Sequence, residues 1–371
     1  MSTEQKKWKM GGDKPIRVYV DGCFDVGIFT NNNDLMHFGH ANAMRQAREL
    51  GDILVVGVHT DAEIARNKGP PVMNEQERYK AVRACKWADE VAEGAPYTAT
   101  VELLKQLNCD FCVHGEDISV GADGKDVYET IKNSGMFRYI KRTEGVSTTE
   151  LVGRMLLLTK DHLQGVNTVS NPLNAVNTKD LHRISPYTSL SHFLPTTRKI
   201  VQFSEGKSPK PNDKIVYMDG GFDVFHVGHT EALRQAKELG DFLIVGVHDD
   251  AVVNEQKGSN FPIMNLHERV LSVLSCRYVD EVVIGAPFNV TKEMIEGLHI
   301  NTVVHGDDPV ISRDGLDPYK VPKELGIYKE IKHTEGLTTT DIIRRIIDNR
   351  IQFEARNKKK EQKEVTFIQN N

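Results

Sequence analysis

At 371 residues the chain is long enough for two to three domains of about 150 residues, each with its own core. Its 27% charged and 39% hydrophobic residues exclude collagenous, fibrous and wholly disordered classes. With 47 Lys and Arg against 52 Asp and Glu, the net charge of −5 disfavours a nucleic-acid binder that works through a strongly basic surface.

The N-terminus, Met1 to Gly12, is polar and lacks the apolar core of a signal peptide, and no later stretch is apolar enough to span a membrane. Five scattered cysteines fit a reducing compartment better than a disulfide framework. A cytoplasmic chain without a membrane span is expected, with peripheral membrane association left open. IRVYV (16–20) reads as a strand, DGCFD (21–25) as a Gly turn, ANAMRQAREL (41–50) as a helix and DILVVGV (52–58) as a second strand. Lys68 stands on the Gly/Pro loop RNKGPP (66–71). Cys109, Phe111 and Val113 alternate with Asp110, Cys112 and His114, as along one buried strand. The Cys109 and Cys112 pair therefore reads as packing; zinc would need two further ligands. RTEGVSTT (142–149) leads into the helical run ELVGRMLLL (150–158).

Residues 160–212 turn to Asn, Ser, Thr and Pro and lose periodicity, which predicts a linker, although KIVQFSEGK (199–207) carries a short apolar run able to dock on a domain. KIVYM (214–218), TEALRQAKEL (230–239) and DFLIVGV (241–247) repeat the strand, helix and strand. Ile342, Ile343, Ile346, Ile347 and Ile351 recur at helical spacing, predicting an apolar face packed on the second domain before the charged run EARNKKKEQKEV (354–365).

The repetition is a duplication. VYVDGCFDV (18–26) matches VYMDGGFDV (216–224) at a distance of 198 residues, and His37-Phe38-Gly39-His40 matches His226-Val227-Gly228-His229 at 189. Arg78 and Arg269, Asp89 and Asp280, and His114 and His305 then lie 191 apart. The expected organisation is a first domain over 14–159, a linker over 160–212, a second domain over 213–352 and a charged helical tail over 353–371. Strands without polar alternation are buried on both faces, so each domain is expected to be α/β and Rossmann-like, a parallel sheet covered by helices, with ligands at the carboxyl ends of the strands.

His37 and His40, three residues apart at a helix start, place two imidazoles where backbone N–H groups and the helix dipole attract anions. The plain alternative, one histidine capping the helix and the other packing, is weakened by recurrence of the motif at His226 and His229. Ser147 and Thr148 precede a helix and read first as capping residues. Arg142 adds a fixed cation able to clamp phosphate oxygens, and Lys68 a mobile one.

DGCFD, HFGH, KGPP, the ERY at 77–79 and RTEGVSTT together resemble the cytidylyltransferase branch of the HxGH nucleotidylyltransferases, in both halves of the chain. The tandem arrangement, with GPPVMNEQERY, CDFCVHGEDI and PIMNLHERVLSV, is similar to the ethanolamine-phosphate cytidylyltransferases. The resemblance implies a nucleotidyltransferase that moves CMP from CTP to phosphoethanolamine, with Mg²⁺ accompanying CTP, on the route to phosphatidylethanolamine. It implies catalytic roles for His37, His40, Lys68, Arg142 and Asp25, the last orienting the histidines or helping to place Mg²⁺. Nucleotide contacts are implied for Gly22, Cys23, Phe24, His114, Gly115, Asp117, Thr143, Gly145, Ser147 and Thr148. Lys86 and Asp89 match ribose- or base-side positions, Asp89 being equally readable as a helix-end charge. Trp87 and Tyr97 read as core aromatics before they read as ammonium contacts. Phosphocholine remains an alternative acceptor, and a homodimer is compatible with the sequence.

The second copy would bind nucleotide through Gly221, Phe222, Asp223, His226, His229, Lys257, His305, Gly306, Asp307, Asp308, Gly336, Thr338 and Thr339. It has His333 in place of Arg142, too short to fork onto phosphate, so catalysis is expected to be weak or lost there. The first copy departs differently. GIFTNNNDL (27–35) separates Asp25 from His37, where Asp223 and His226 are three apart. Three readings are open: an outward loop, a displaced helix start, or a retained intron in the gene model. A disabled first site would make the chain a non-catalytic nucleotide binder.

Overall fold

The computed structural model describes residues 14–24, 38–67, 69–116, 126–141, 143, 199–258, 261–307, 310, 315–332 and 336–349. In the first half, β1 (Arg17–Gly22), α1 (Phe38–Arg48), β2 (Ile53–His59), α2 (Asp61–Asn67), α3 (Glu75–Arg83) and β3 (Glu90–Ala95) follow in order. Then come α4 (Val101–Gln106), β4 (Phe111–Gly115), α5 (Glu129–Asn133) and β5 (Phe137–Ile140). The second half repeats this as β6 (Ile215–Gly220), α6 (Val227–Lys237), β7 (Phe242–His248), α7 (Asp250–Lys257), α8 (Leu266–Leu274) and β8 (Glu281–Ala286). It continues with α9 (Lys292–Gly297), β9 (Thr302–Gly306), α10 (Lys320–Glu324), β10 (Tyr328–Ile331) and α11 (Thr339–Asp348).

Each half forms one five-stranded sheet with every pairing parallel, in the orders β3-β2-β1-β4-β5 and β10-β9-β6-β7-β8. The apolar runs supply the buried central strands. Leu54 to His59 are buried without a break, as are all seven residues of β7. The chain leaves β1 toward β3 and returns to lay β4 on its other side, so the topological switch lies between β1 and β4, and between β6 and β9 in the second copy. Helix starts are fixed locally: Asn74 and Glu77 form a capping box on α3, and Asn265 and Glu268 repeat it on α8.

The chain divides into two compact units, residues 1–149 with 345–371, and 150–344. This differs from the expected second domain of 213–352, because residues from Arg345 onward are counted with the first unit. On α11, Ile342 and Ile346 are buried whereas Ile347 is half-exposed, so the apolar face is narrower than five isoleucines suggest. Ile351, the charged tail, the helical run expected over 150–158 and residues 160–198 of the connector lie outside the described residues. Within the connector, residues 199–203 are helical and Phe203 is buried, as the apolar run there predicts. The insertion over 27–35 is likewise not described, yet α1 begins at Phe38, directly after His37, as α6 begins at Val227, directly after His226. Among the described residues no helix is long and apolar enough to cross a membrane.

One packing constraint sets the spacing of β1 and β2. A Cβ at Gly57 would fall 2.1 Å from the Tyr19 hydroxyl, and at Gly246 2.1 Å from that of Tyr217. Both tyrosines are fully buried, so neither ring has room to give. Gly57→Ala or Gly246→Ala is expected to destabilise its domain by about 1–3 kcal/mol through overpacking, read as a shift of the urea or thermal unfolding midpoint.

Candidate active site

The histidine motif is fully described in the second copy. His226 is the N-cap of α6, in extended backbone, and its Nδ1 accepts from Gly228 N–H at 3.1 Å. His229 reaches back, its Nδ1 accepting from His226 N–H at 3.3 Å. The rings meet with centroids 3.9 Å apart. One histidine thus caps without the other being relegated to packing: they cap reciprocally, in the manner of a Ser and Glu pair. Because each Nδ1 accepts, the proton of each neutral ring sits on Nε2. His226 Nε2 lies 3.3 Å from Thr339 Oγ1, which donates onward to Asp223 O at 3.0 Å. The glycine between the histidines is required by close approach, since a Cβ at Gly228 would lie 2.6 Å from Leu337 O. In the first copy His40 occupies the first turn of α1, buried, with the Phe24 ring 5.6 Å away. Phe24 and Phe222 hold positive φ, +50° and +48°, and fold their rings back over Gly22 and Gly220.

A second set of polar groups gathers where the strands end. Asp21, at the end of β1, accepts from the Tyr128 hydroxyl at 2.6 Å, and the His114 ring, on β4, packs tilted against Tyr128 with centroids 4.7 Å apart. The second copy repeats this with Asp219, Tyr319 (2.6 Å) and His305 (4.8 Å). His59 ends β2 at a bulge. The ladder register shifts between Val58 and His59 opposite Gly94, whose φ is +67°, and His59 Nδ1–H donates to Ala95 O at 3.1 Å. His248 does the same to Ala286 O at 3.0 Å, and His305 Nδ1–H donates to Gly306 O at 2.9 Å. These imidazoles carry the tautomer opposite to that of the helix pair: the proton sits on Nδ1, and Nε2 is the acceptor nitrogen. Burial pushes the Asp219 carboxyl up, against the opposing pull of His248, Tyr319 and His305.

The turns that carry these groups are tied together by one side chain. Arg78, with no exposed surface, donates to Cys23 O (2.8 Å), His59 O (2.7 Å) and Met73 O (3.2 Å), and pairs with Asp61 at 2.7 Å. Arg269 repeats the arrangement with Gly221 O (2.6 Å), Met264 O (3.0 Å) and Asp250 (2.6 Å).

Several sequence expectations need correction. Asp89 accepts from Leu54 N–H at 2.7 Å and pairs with Arg48 at 2.7 Å, which places it at the amino ends of β2 and β3. Lys86, three residues before it, lies over the Trp87 ring at 5.1 Å on the same edge. Neither stands at the carboxyl edge where a nucleotide would lie. Asp223, expected among the nucleotide contacts of the second copy, has both oxygens bound to the Ile263 and Met264 N–H groups, at 2.7 and 2.9 Å, so it anchors a loop. Thr338 caps α11, its hydroxyl donating to Asp341 at 2.6 Å, and Lys257 rests on the Phe261 ring at 5.7 Å. Tyr97 packs its ring on His59 at 5.3 Å, at the carboxyl edge rather than simply in the core.

Thr143 is joined to α1 by the Asn42 amide at 2.8 Å, and the Gln46 amide reaches Lys141 O at 3.0 Å, so the two neighbours of Arg142 are fastened beside the helix that carries His40. Asp25, His37, Lys68, Asp117, Arg142, Gly145, Ser147 and Thr148 lie outside the described residues, as do Asp308 and His333. Asp21, His59, Arg78 and Tyr128 were not singled out from sequence. Each recurs in the second copy, as Asp219, His248, Arg269 and Tyr319, and that recurrence was the signal available.

A family model described as Cytidylyltransferase-like matches twice, over residues 27–154 and 217–345. An ethanolamine-phosphate cytidylyltransferase of Dictyostelium discoideum is 80% identical over 96% of this chain and 97% of its own length. The chain belongs to the ethanolamine-phosphate cytidylyltransferase family. The mouse member of that family is 48% identical over 97% of this chain and 92% of its own. By contrast, mouse choline-phosphate cytidylyltransferase A is 42% identical over only 39% of this chain and 37% of its own.

Cys112 is buried within β4 and Cys109 just before it, and burial pushes the Cys109 thiol up to about 11 and raises that of Cys112. Among the described residues no cluster of His, Cys, Asp or Glu could hold a metal ion. Both cysteines pack in the apolar cluster that holds Tyr19, Leu104 and Ile131. Native protein at pH 8 is expected to leave both thiols unlabelled by iodoacetamide, with labelling appearing only on unfolding, as read by mass spectrometry. Arg78→Lys is expected to cost about 3 kcal/mol in unfolding, because lysine cannot span three carbonyls and a carboxylate.

Proposed function

We propose that the first copy transfers CMP from CTP to phosphoethanolamine, giving CDP-ethanolamine and pyrophosphate. A phosphomonoester oxygen of the acceptor attacks the α-phosphorus, a new P–O bond forms, and the bond from that phosphorus to the oxygen bridging to the β-phosphate breaks. The acceptor phosphate, with a second pKa of about 6, is largely dianionic at neutral pH and needs no general base. His37 and His40, at the start of α1, donate Nε2–H to oxygens that gain charge, while Lys68 and Arg142 neutralise the phosphates.

The reading is carried by the sorting of polar groups across the carboxyl edge. In the second copy donor imidazoles stand at the helix start, while the strand ends of both copies carry a carboxylate, Asp21 or Asp219, and imidazoles whose Nδ1–H is spent on a carbonyl. An acceptor with a phosphate at one end and an ammonium at the other matches that polarity. Arg142, replaced by His333 in the second copy, supports the first copy as the working one. Mg²⁺ enters as part of the MgCTP substrate, held chiefly by the nucleotide phosphates. Asp223, whose oxygens are both spent on backbone, gives no support to Asp25 as a resident metal ligand.

Pyrophosphate release from CTP and phosphoethanolamine tests the assignment. His37→Ala and Arg142→Ala are each expected to lower kcat by roughly 10²- to 10³-fold, and His226→Ala far less. Retained turnover in His37→Ala with loss in His226→Ala would reverse the assignment of the working copy. Asp21→Asn is expected to raise KM for phosphoethanolamine by roughly 30-fold while leaving KM for CTP within a factor of about three. A rise for both substrates would remove Asp21 from the acceptor end.

A further inference from the structure

The loop that carries Lys68 runs from the end of α2 to the cap of α3, and its backbone is pinned on both sides of that lysine. On the entry side Gly69 N–H donates to Ile64 O at 3.0 Å, with a φ of +98° that suits glycine. On the exit side two successive carbonyls each meet a guanidinium. Met73 O is taken by Arg78, as Met264 O is by Arg269 in the second copy. Val72 O is taken by Arg345, whose Nη1 donates to it at 2.9 Å. The same guanidinium forks onto Glu77, Nη1 to Oε2 at 2.8 Å and Nη2 to Oε1 at 3.2 Å. Glu77 Oε2 also accepts from Asn74 N–H at 2.9 Å, within the capping box that starts α3.

Arg345 stands late in α11, beyond TEGLTTT (334–340) of the second copy, yet it belongs to the first unit, where these bonds fasten it. An ion pair between exposed side chains contributes little. This one is bidentate, its Glu77 carboxylate is only 14% exposed, and the guanidinium answers the carbonyl of a buried residue, Val72. We propose that Arg345 is a positioning residue for CMP transfer, holding the exit of the Lys68 loop so that the lysine meets the phosphates of CTP. Lys68 has that task in the reaction proposed above, so the assignment rests on that reading.

A double-mutant cycle separates action through Lys68 from a general effect on the fold. Pyrophosphate release is measured for wild type, Lys68→Ala, Arg345→Ala and the double variant. Arg345→Ala is expected to lower kcat/KM for CTP by roughly 10-fold, to leave KM for phosphoethanolamine within a factor of about three, and to cost less than about twofold once Lys68 is already alanine. Arg345→Lys is expected to fall with the alanine variant, since an ammonium cannot fork. Glu77→Gln, which keeps an oxygen for the Asn74 N–H and gives up the ion pair, is expected to reproduce the loss, so the outcome does not depend on the folding of one variant. Amide exchange at Val72, Met73 and Asn74, measured on the full chain without substrate, is expected to quicken by roughly 10-fold in Arg345→Ala. The proposal is overturned if Arg345→Ala keeps the wild-type kcat/KM, if it costs the same factor on both backgrounds, or if exchange at those three amides is unchanged. A wild type that releases no pyrophosphate sinks the catalytic reading alone, and the same cycle, read as CTP affinity by equilibrium dialysis, then decides for or against Arg345.

Discussion

A single buried guanidinium in each copy holds the ligand edge together. Removing a charge from water is costly unless every donor is answered, and Arg78 answers its donors with three main-chain carbonyls and one carboxylate drawn from four separate segments. Those segments are the turn after β1, the end of β2, the loop before α3 and the start of α2. Each carries or adjoins a group at the carboxyl edge. The fold supplies the strands, but it is this fastening that fixes where their ends stand relative to one another, and Arg269 does the same for the other copy.

The four edge histidines described in the second copy, two of each tautomer, show how one side chain serves two opposite ends of a site. Histidine has one donor and one acceptor when neutral, and which nitrogen faces the ligand as a donor is decided by what the other nitrogen touches. At the helix start the backbone offers N–H groups, so Nδ1 accepts and Nε2 donates. Past the strand ends the backbone offers carbonyls, so the assignment inverts. Secondary structure, through the group it leaves unpaired at its end, thereby sets the electrostatic sign of the site.

The architecture was legible in the sequence because its causes are local or repeated. Uninterrupted apolar runs such as DILVVGV and DFLIVGV can only be strands buried on both faces, and the duplication confirms every element twice. What could not be read was which end of the sheet a residue occupies. Asp89 and His114 both adjoin strands, but Asp89 precedes β3 while His114 lies within β4 near its end, and only the strand boundaries separate an amino-edge anchor from a carboxyl-edge ligand group. Asp223 was misread for a related reason: a carboxylate in a ligand motif and a carboxylate holding a loop have the same sequence appearance, and only its two bonds to Ile263 and Met264 distinguish them. Arg78 lay in plain view within ERY, with nothing in its neighbours to announce full burial.

The bulge at Gly94 bears on how this fold can evolve. Loops measure distance between their ends only loosely, so a change in loop length costs little. A strand counts strictly, in twos. Deleting the one extra residue at Gly94 would slide β3 by a single position against β2, take Ala95 away from His59 and exchange the faces of everything beyond. Length change in this protein is therefore weighed by location rather than by size, and its most consequential indel is one residue long.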